Sequence, residues 1–146
     1  MKKRIMIVDD EEEFAASLAE RLTIRDYDVM TSSSGEDALE KLKGQILDVI
    51  ILDLLMPGMG GVETLREIKK LYPLTEVIML TGNASVESAI EGMKLGALDY
   101  LMKPCETDDL VAKISMATQK KEEQEERIRE AKVKEIMSSP MSVLKK

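Results

Sequence analysis

The segment LDVIILDLLMPGMGG, residues 47–61, sets apolar residues on both sides of Asp53 and then ends in proline and glycines. A continuous apolar run of this length is typical of a strand that helices cover on both faces. Asp53 stands at the end of the run, and an ionised carboxylate is costly to bury without partners. The sequence therefore predicts a buried strand whose terminal Asp53 faces a polar cleft or has charged partners.

Outward from this strand, apolar runs alternate with amphipathic segments, in which residues such as Phe14, Leu18 and Leu22 recur at helical spacing. Five strand-then-helix units in so short a chain predict an α/β fold with a doubly wound five-stranded parallel sheet, because right-handed crossovers place helices on both faces. The candidate strands, of which the second and fifth are weaker, are RIMIV (4–8), YDVMT (27–31), DVIIL (48–52), EVIML (76–80) and ALDYLM (97–102).

Residues that favour helix ends agree with this alternation. Ser34, Asn83 and Thr107 lie where helix N-caps are expected, and their side chains can accept a hydrogen bond from the first turn. Gly44 and Gly96 lie just past predicted helix ends, where a left-handed residue closes the last turn.

The composition limits the class of protein. The 146 residues suffice for one domain and a tail, and no apolar run approaches the length that a membrane span or signal peptide needs, so we expect a soluble, cytoplasmic protein. The chain has no histidine and one cysteine, Cys105, which argues against zinc sites, Ser-His-Asp chemistry and an internal disulfide.

Charge is unevenly distributed. The net charge is −7, with 13 basic and 22 acidic side chains in residues 1–118 against 8 basic and 6 acidic in residues 119–146. An acidic globular part repels nucleic acid, and the tail is too mixed in sign for a recognition element. We therefore expect no direct nucleic-acid binding.

From residue 119 the composition becomes almost entirely charged. Pairs such as Glu123 with Arg127 lie at helical spacing, so the last helix is expected to extend into solvent. A stripe of Ile128, Ala131, Val133 and Ile136 encodes a coiled coil only weakly, and a solvated, partly frayed helix is favoured. The segment SSPMSVLKK (138–146) is predicted to be disordered. We expect a domain over 1–118 and a charged helical extension with a flexible tail over 119–146.

Polar residues follow four of the five predicted strands. Asp9 and Asp10 follow the first strand, Asp53 the third, Thr81 the fourth and Lys103 the fifth. In open α/β sheets, ligands bind beyond the carboxyl ends of the strands where the strand order reverses. With the flavodoxin-like order 2-1-3-4-5, strands 1 and 3 flank that point, so the three carboxylates are expected in one cleft.

This set of residues predicts phosphoryl chemistry. Three carboxylates repel one another unless a cation lies among them, and oxygen ligands without histidine or cysteine favour Mg²⁺. Lys103 and Thr81 supply a positive charge and a hydroxyl, and a carboxylate can be the nucleophile that receives phosphate. Each motif alone has a simpler explanation: the acid pair could cap a helix, and Lys103 could be a surface lysine. Their joint placement favours a site for an aspartyl-phosphate on Asp53.

Four motifs also resemble a known family. IVDDE (7–11), ILDLLMPGMGG (51–61), MLTGNAS (79–85) and ALDYLMKPCE (97–106) together resemble the receiver domain of bacterial two-component response regulators over roughly residues 3–118. The resemblance implies that Asp53 is the phosphoacceptor. It also implies that Asp10 and Asp53 bind Mg²⁺ directly with the Leu55 carbonyl, and that Asp9 acts through water.

The resemblance assigns further roles. Thr81 and Lys103 would contact the phosphoryl group, the bond from Lys103 to the following proline would be cis, and Tyr100 would turn inward with Thr81 on phosphorylation. Leu55 and Asn83 occupy positions at which the family tunes phosphate lifetime. An apolar Leu55 offers nothing to position an attacking water, so we expect slow hydrolysis.

Partners follow from the same comparison. Because the chain has no histidine, the phosphate must come from a sensor histidine kinase, a phosphotransfer protein or a small acyl phosphate. Output is expected through a downstream protein target, and a homodimer through the fourth helix, fifth strand and fifth helix, or through the C-terminal helix, is a further option. The chain is then a signalling switch and no enzyme beyond its own phosphorylation and dephosphorylation.

The sequence is also compatible with two other functions. An aspartate-nucleophile, Mg²⁺-dependent phosphatase of the dehalogenase type also uses a carboxylate at a strand end, but it requires a second aspartate where Leu55 stands. A constitutive interaction scaffold with a vestigial cleft is the other alternative, and the retention of all five chemical positions argues against it.

Overall fold

The sheet has five parallel strands in the predicted order. A computed structural model describes residues 1–82 and 85–138. The strands pair in the order β2-β1-β3-β4-β5, which confirms the doubly wound topology. Their bounds are β1 Arg4–Val8, β2 Asp28–Ser32, β3 Val49–Leu52, β4 Glu76–Thr81 and β5 Asp99–Met102.

Five helices cover the two faces of this sheet. Their bounds are α1 Glu12–Ile24, α2 Gly35–Leu42, α3 Gly61–Leu71, α4 Val86–Lys94 and α5 Thr107–Ser138. Alternate strand residues face opposite layers: Ile51 packs with α1 and α5, whereas Ile50 and Leu52 pack with α2 and α3. Burial on both faces explains why the central strands are continuously apolar.

The two weaker strand predictions belong to the edges of the sheet. The central strands β1, β3 and β4 are almost wholly buried, whereas most residues of β2 and β5 are only half-buried. An edge strand has one neighbour and less cover from helices, so polar residues are tolerated there. The mixed patterns of residues 27–31 and 97–102 have this cause.

The observed N-terminal cap residues agree only in part with those predicted from the sequence. Ser34 caps α2, and its hydroxyl accepts a hydrogen bond from the Asp37 amide at 3.0 Å. The prediction at Thr107 is one residue late, since Thr107 is already the first residue of α5. Ser85 caps α4, and Asn83, to which the cap was assigned, lies outside the described residues.

Both predicted C-terminal glycines are confirmed. Gly44 and Gly96 follow the ends of α2 and α4 with φ of 75° and 109°, which is the left-handed region that closes a helix.

Helix α5 continues well beyond the sheet. It spans 32 residues, and Leu110, Ile114 and Ala117 bury its first half against the strands. Lys121 is also buried, while the residues from 126 to 138 are exposed. The predicted extension is therefore helical to Ser138, and the rest of the segment predicted to be disordered lies outside the described residues. Within those residues, no helix has the length and apolar character to cross a bilayer.

Candidate functional site

The carboxyl ends of adjacent strands converge because the backbone ladder continues one residue past each strand. The Asp53 amide donates to the Val8 carbonyl at 2.9 Å, which aligns the end of β3 with that of β1. The Lys103 amide donates to the Thr81 carbonyl at 2.8 Å, which aligns the ends of β5 and β4. The backbone register sets the direction of each side chain. These hydrogen bonds therefore fix the backbone positions of Asp53, Thr81 and Lys103 relative to one another.

Three carboxylates form one cluster at these strand ends. Asp9, Asp10 and Asp53 each offer an oxygen, and these oxygens lie within 4.8 Å of one another. Asp9 and Asp53 are 3% and 5% exposed, whereas Asp10 faces solvent. The amides of Glu11 and Leu55 each donate to the carboxylate two residues before them, at 2.9 and 3.0 Å. The loops after β1 and β3 therefore hold the two buried acids in place.

Lys103 brings its ammonium group into this cluster. Its Nζ lies 2.7 Å from Asp9 Oδ2, 3.1 Å from Glu11 Oε1 and 3.5 Å from Asp53 Oδ2. The same nitrogen lies 4.2 Å from the centre of the Phe14 ring, a distance at which a cation is attracted to an aromatic face. A cation with these partners neutralises only part of the acid cluster.

The pKa values reflect this crowding. Burial raises the pKa of Asp9, and the charge of Asp53 adds to that rise, although hydrogen bonds from Lys103 and Glu11 oppose it. Burial acts to lower the pKa of Lys103, but its hydrogen bonds to Asp9 and Glu11 outweigh burial and raise that pKa. Lys103 is thus fully charged at neutral pH, while the ionised form of Asp9 is disfavoured by its surroundings.

The donor set fits a hard divalent cation. The three carboxylates are all oxygen ligands, and Asp10 leaves the cluster open to solvent. Mg²⁺ binds through one or two carboxylates and retains several waters, which an open cluster permits. The three carboxylates outnumber the single ammonium group of Lys103, so the cluster keeps negative charge that a cation can offset. The residues present therefore fit the predicted magnesium site.

Thr81 ends β4, and Tyr100 lies on the neighbouring strand β5. Thr81 is fully buried, and its Oγ1 has no hydrogen-bond partner among the described residues. Tyr100 is half-buried against the apolar layer of α2 and α3, and its hydroxyl donates to Met102 Sδ. Met102 pairs with Thr81 in the register of β4 and β5. The peptide bond from Lys103 to Pro104 is cis, as the resemblance implies.

The structure brings together the predicted acids and Lys103, and it adds two residues. Glu11 and Phe14 both contact Lys103, and sequence reasoning gave neither of them this role. Their spacing of three on the predicted first helix was the available signal, since it places both on one face next to the acid pair. Leu55 contacts the cluster through the hydrogen bond that its amide donates to Asp53. That its carbonyl is a metal ligand stays a prediction.

Comparisons with known proteins identify the family of the chain. A family model described as the response regulator receiver domain matches residues 5–115. The chain is 41% identical over 113 residues to the transcriptional regulatory protein ZraR of Escherichia coli K12, covering 77% of this chain and 26% of that protein. It is 37% identical over 114 residues to the regulatory protein LuxO of Vibrio parahaemolyticus, covering 78% of this chain and 25% of that protein.

Solved structures are also similar. A CheY-like receiver domain protein from Methanospirillum hungatei has a TM-score of 0.82 and 32% identity, covering 85% of this chain and 99% of that one. A receiver domain protein from Clostridium thermocellum has a TM-score of 0.77 and 37% identity, covering 82% and 97%. The chain thus spans nearly all of isolated receiver domains but about a quarter of the curated regulators it matches. The chain belongs to the response regulator receiver domain family.

Proposed function

We propose that this chain is a phosphorylation-dependent signalling switch that accepts a phosphoryl group on Asp53. The observation that carries the proposal is the Lys103 ammonium group 3.5 Å from the Asp53 carboxylate, within a cluster of three acids. In this proposal residues 1–118 are the receiver domain, and residues 119–146 are a charged helical extension with a flexible tail.

The transfer step uses residues of this chain. A carboxylate oxygen of Asp53 attacks phosphorus, the bond from phosphorus to the donor's nitrogen or oxygen breaks, and the donor keeps that electron pair. Lys103 is held at 11% side-chain exposure beside Asp53, so its charge is available to the transferring group without long-range movement. The Leu55 amide fixes the orientation of the Asp53 carboxylate before attack.

A magnesium ion belongs to this proposal. Asp10 and Asp53 would hold it directly with the Leu55 carbonyl, and Asp9 would hold it through water. When bound, Mg²⁺ neutralises charge on the phosphoryl oxygens. The excess of carboxylates over the one ammonium group in the cluster supports this assignment.

The switch depends on Thr81 and Tyr100. A bound phosphoryl group adds roughly −1.5 to −2 charges and would be the missing partner of the buried Thr81 hydroxyl. Swinging a two-state element from 1:99 to 99:1 takes about 5.5 kcal/mol. Two hydrogen bonds to charged oxygens, from Thr81 and Lys103, contribute ~1.5–3 kcal/mol each, which is the required order. Movement of Thr81 would draw in Tyr100 and change the surface of α4, β5 and α5.

Partners and location complete the proposal. We assign the phosphoryl supply to a sensor histidine kinase or phosphotransfer protein in the cytoplasm, and the output to a downstream protein, with homodimerisation through α4, β5 and α5 or the C-terminal helix as a second output. In this proposal catalysis is limited to the chain's own phosphorylation and dephosphorylation, and the receiver-domain match supports this reading. The phosphatase alternative has no support from the family match, and Leu55 occupies the place of its second aspartate.

Acetyl phosphate with Mg²⁺ tests the proposal. The intact chain should gain one phosphoryl unit by mass spectrometry, and fragmentation should locate it on Asp53. Repeated turnover of a phosphomonoester substrate, with no modified protein accumulating, would instead favour the phosphatase.

Magnesium should stabilise the fold through the acid cluster. At ten times the dissociation constant, mass action adds about 1.4 kcal/mol to the free energy of unfolding. Urea unfolding with and without Mg²⁺ measures this gain. The gain should shrink in Asp10→Asn and persist in Glu13→Gln, which removes the same charge from an exposed residue in the first turn of α1. Equal gains in both variants would place the ion elsewhere.

The carboxylate of Glu11 should lower the affinity of the site for an anion that binds Lys103. It is the N-cap residue of α1 but makes no side-chain cap hydrogen bond, and its carboxylate contacts Lys103 instead. Glu11→Gln should therefore tighten binding of beryllofluoride, a phosphoryl mimic, by roughly two- to fivefold, the range of an exposed ion pair. Isothermal titration calorimetry in Mg²⁺ measures the affinity. Glu13→Gln is the matched control, and the idea fails if both variants shift the affinity equally.

A further inference from the structure

Three consecutive residues of α5 pair with charged residues at the starts of three different strands. The pairs are Lys120 Nζ with Glu76 Oε2 at 3.6 Å, Lys121 Nζ with Asp48 Oδ1 at 3.5 Å, and Glu122 with Lys3. Lys3 precedes β1, Asp48 precedes β3, and Glu76 begins β4. These are the three adjacent central strands of the sheet, at the end opposite the acid cluster. We call these three ion pairs the α5 collar.

Lys121 is the centre of the collar. It is 5% exposed, and a buried charge is retained only when its partners offset the loss of water. Its Nζ also lies 3.0 Å from Glu125 Oε2, one turn further along the helix. Asp48 is itself fixed, because its Oδ2 accepts a hydrogen bond from the Arg4 amide at 2.8 Å. The ammonium group is thus held between the sheet and the start of the extension.

The order of the charges in these pairs constrains both the direction of α5 and its rotation about its own axis. Along α5 the charges run positive, positive, negative, and across β4, β3 and β1 they run negative, negative, positive. A rotation of the helix, or a slide by one residue, would set like charges against each other. Together with the buried Leu110, Ile114 and Ala117, the collar therefore favours one direction in which α5 leaves the sheet and one rotation about its own axis.

The extension beyond the collar has little else to hold it. Residues 126–138 are exposed, and an isolated helix of this length is marginal in water. Local pairs such as Arg129 with Glu126 are exposed and weak, and they give no direction relative to the domain. The position of residues 126–138 is thus set by the buried first half of α5 and by the collar, in which that buried part ends.

We propose that the α5 collar is a rigid joint, so that residues 122–138 form a lever of fixed direction and not a flexible tail. Sixteen helical rises carry Ser138 about 24 Å beyond Glu122. A small displacement of α5 in the domain would then be transmitted over that length to whatever the extension contacts. The proposal concerns the joint alone and does not depend on phosphorylation of Asp53.

Distances between spin labels test the joint in the full chain. With Cys105→Ala as background, labels at Glu20→Cys on α1 and Lys134→Cys on the extension occupy exposed positions. Double electron–electron resonance should give a single narrow distance distribution. Lys121→Met, which keeps the length and apolar stem of the side chain but removes its charge, should lose that narrow peak. Hydrogen exchange of the amides of residues 119–126 should lose protection in the same variant.

A matched variant separates the joint from a general effect of removing a lysine. Lys132→Met makes the same substitution at an exposed position of the extension and should leave the narrow peak intact. Circular dichroism checks that each variant is folded, and Glu122→Gln replaces Lys121→Met if the latter is unfolded. A broad distribution in the parent chain, or a narrow one in the folded collar variant, overturns the proposal.

Discussion

Asparagine at position 53 should abolish phosphorylation by acetyl phosphate, so that the parent chain gains one phosphoryl unit and the variant gains none. The amide lacks the ionised oxygen that attacks phosphorus, yet it has nearly the shape of the carboxylate. Its oxygen can still accept the hydrogen bond that the Leu55 amide gives to Asp53 at 3.0 Å. The loss therefore reports on chemistry and not on a collapsed loop. Intact-mass spectrometry over a time course measures it.

A measurement of stability shows whether the loss of phosphorylation in Asp53→Asn comes from the missing nucleophile or from misfolding. Asp53 is 5% exposed beside Asp9 and Asp10, so removing its charge reduces repulsion within the cluster. The free energy of unfolding of Asp53→Asn in the absence of Mg²⁺ should equal or exceed that of the parent chain. Lys103→Met should slow phosphorylation without preventing it, because the nucleophile remains. A phosphoryl unit on folded Asp53→Asn would move the acceptor to Asp9 or Asp10 and refute the assignment.

The topology and the convergence of the site follow from local patterns. Residues 4–8, 48–52 and 76–80 form apolar runs long enough to predict buried parallel strands, and the polar residue after each run then marks the strand end. The rule that ligands bind at the reversal of strand order joins these ends in space. Asp9, Asp53 and Thr81 could be grouped on this basis without any distance.

Other features depend on contacts that no local pattern encodes. The spacing of Glu11 and Phe14 places both on the face of the first helix next to the acid pair, but a cap residue and a core residue have the same spacing, so it does not specify contact with Lys103. Lys121 lies in the charged run QKKEEQEE, which is typical of a solvated helix face, yet it is buried. Its partner Asp48 is distant in sequence, and pairing of this kind emerges only when the strands are assembled.

Alanine at Gly61 should lower the free energy of unfolding by about 3 kcal/mol, toward the upper end for overpacking, because nothing nearby can move aside. Gly61 is the first residue of α3. A Cβ atom there would lie 2.4 Å from both the Asp53 carbonyl oxygen and the Leu54 Cα, and both are backbone atoms of the loop that carries the acceptor. The same displacement would shift Asp53, so phosphorylation should slow in parallel. Urea unfolding measures the first effect and mass spectrometry the second.

Gly82→Ala is the matched control for Gly61→Ala. Gly82 also borders the site, but within residues 1–82 and 85–138 the nearest side-chain atoms to its added Cβ are Lys103 Cβ and Cδ at 3.9 Å, which is ordinary contact. Replacing glycine at a compatible position restricts the unfolded chain and stabilises by about 0.4–1 kcal/mol. Gly82→Ala should thus be at least as stable as the parent while Gly61→Ala is far less so. Equal stability of the two variants would mean that the loop after β3 is loose, and that the fixed orientation of Asp53 is not a property of the fold.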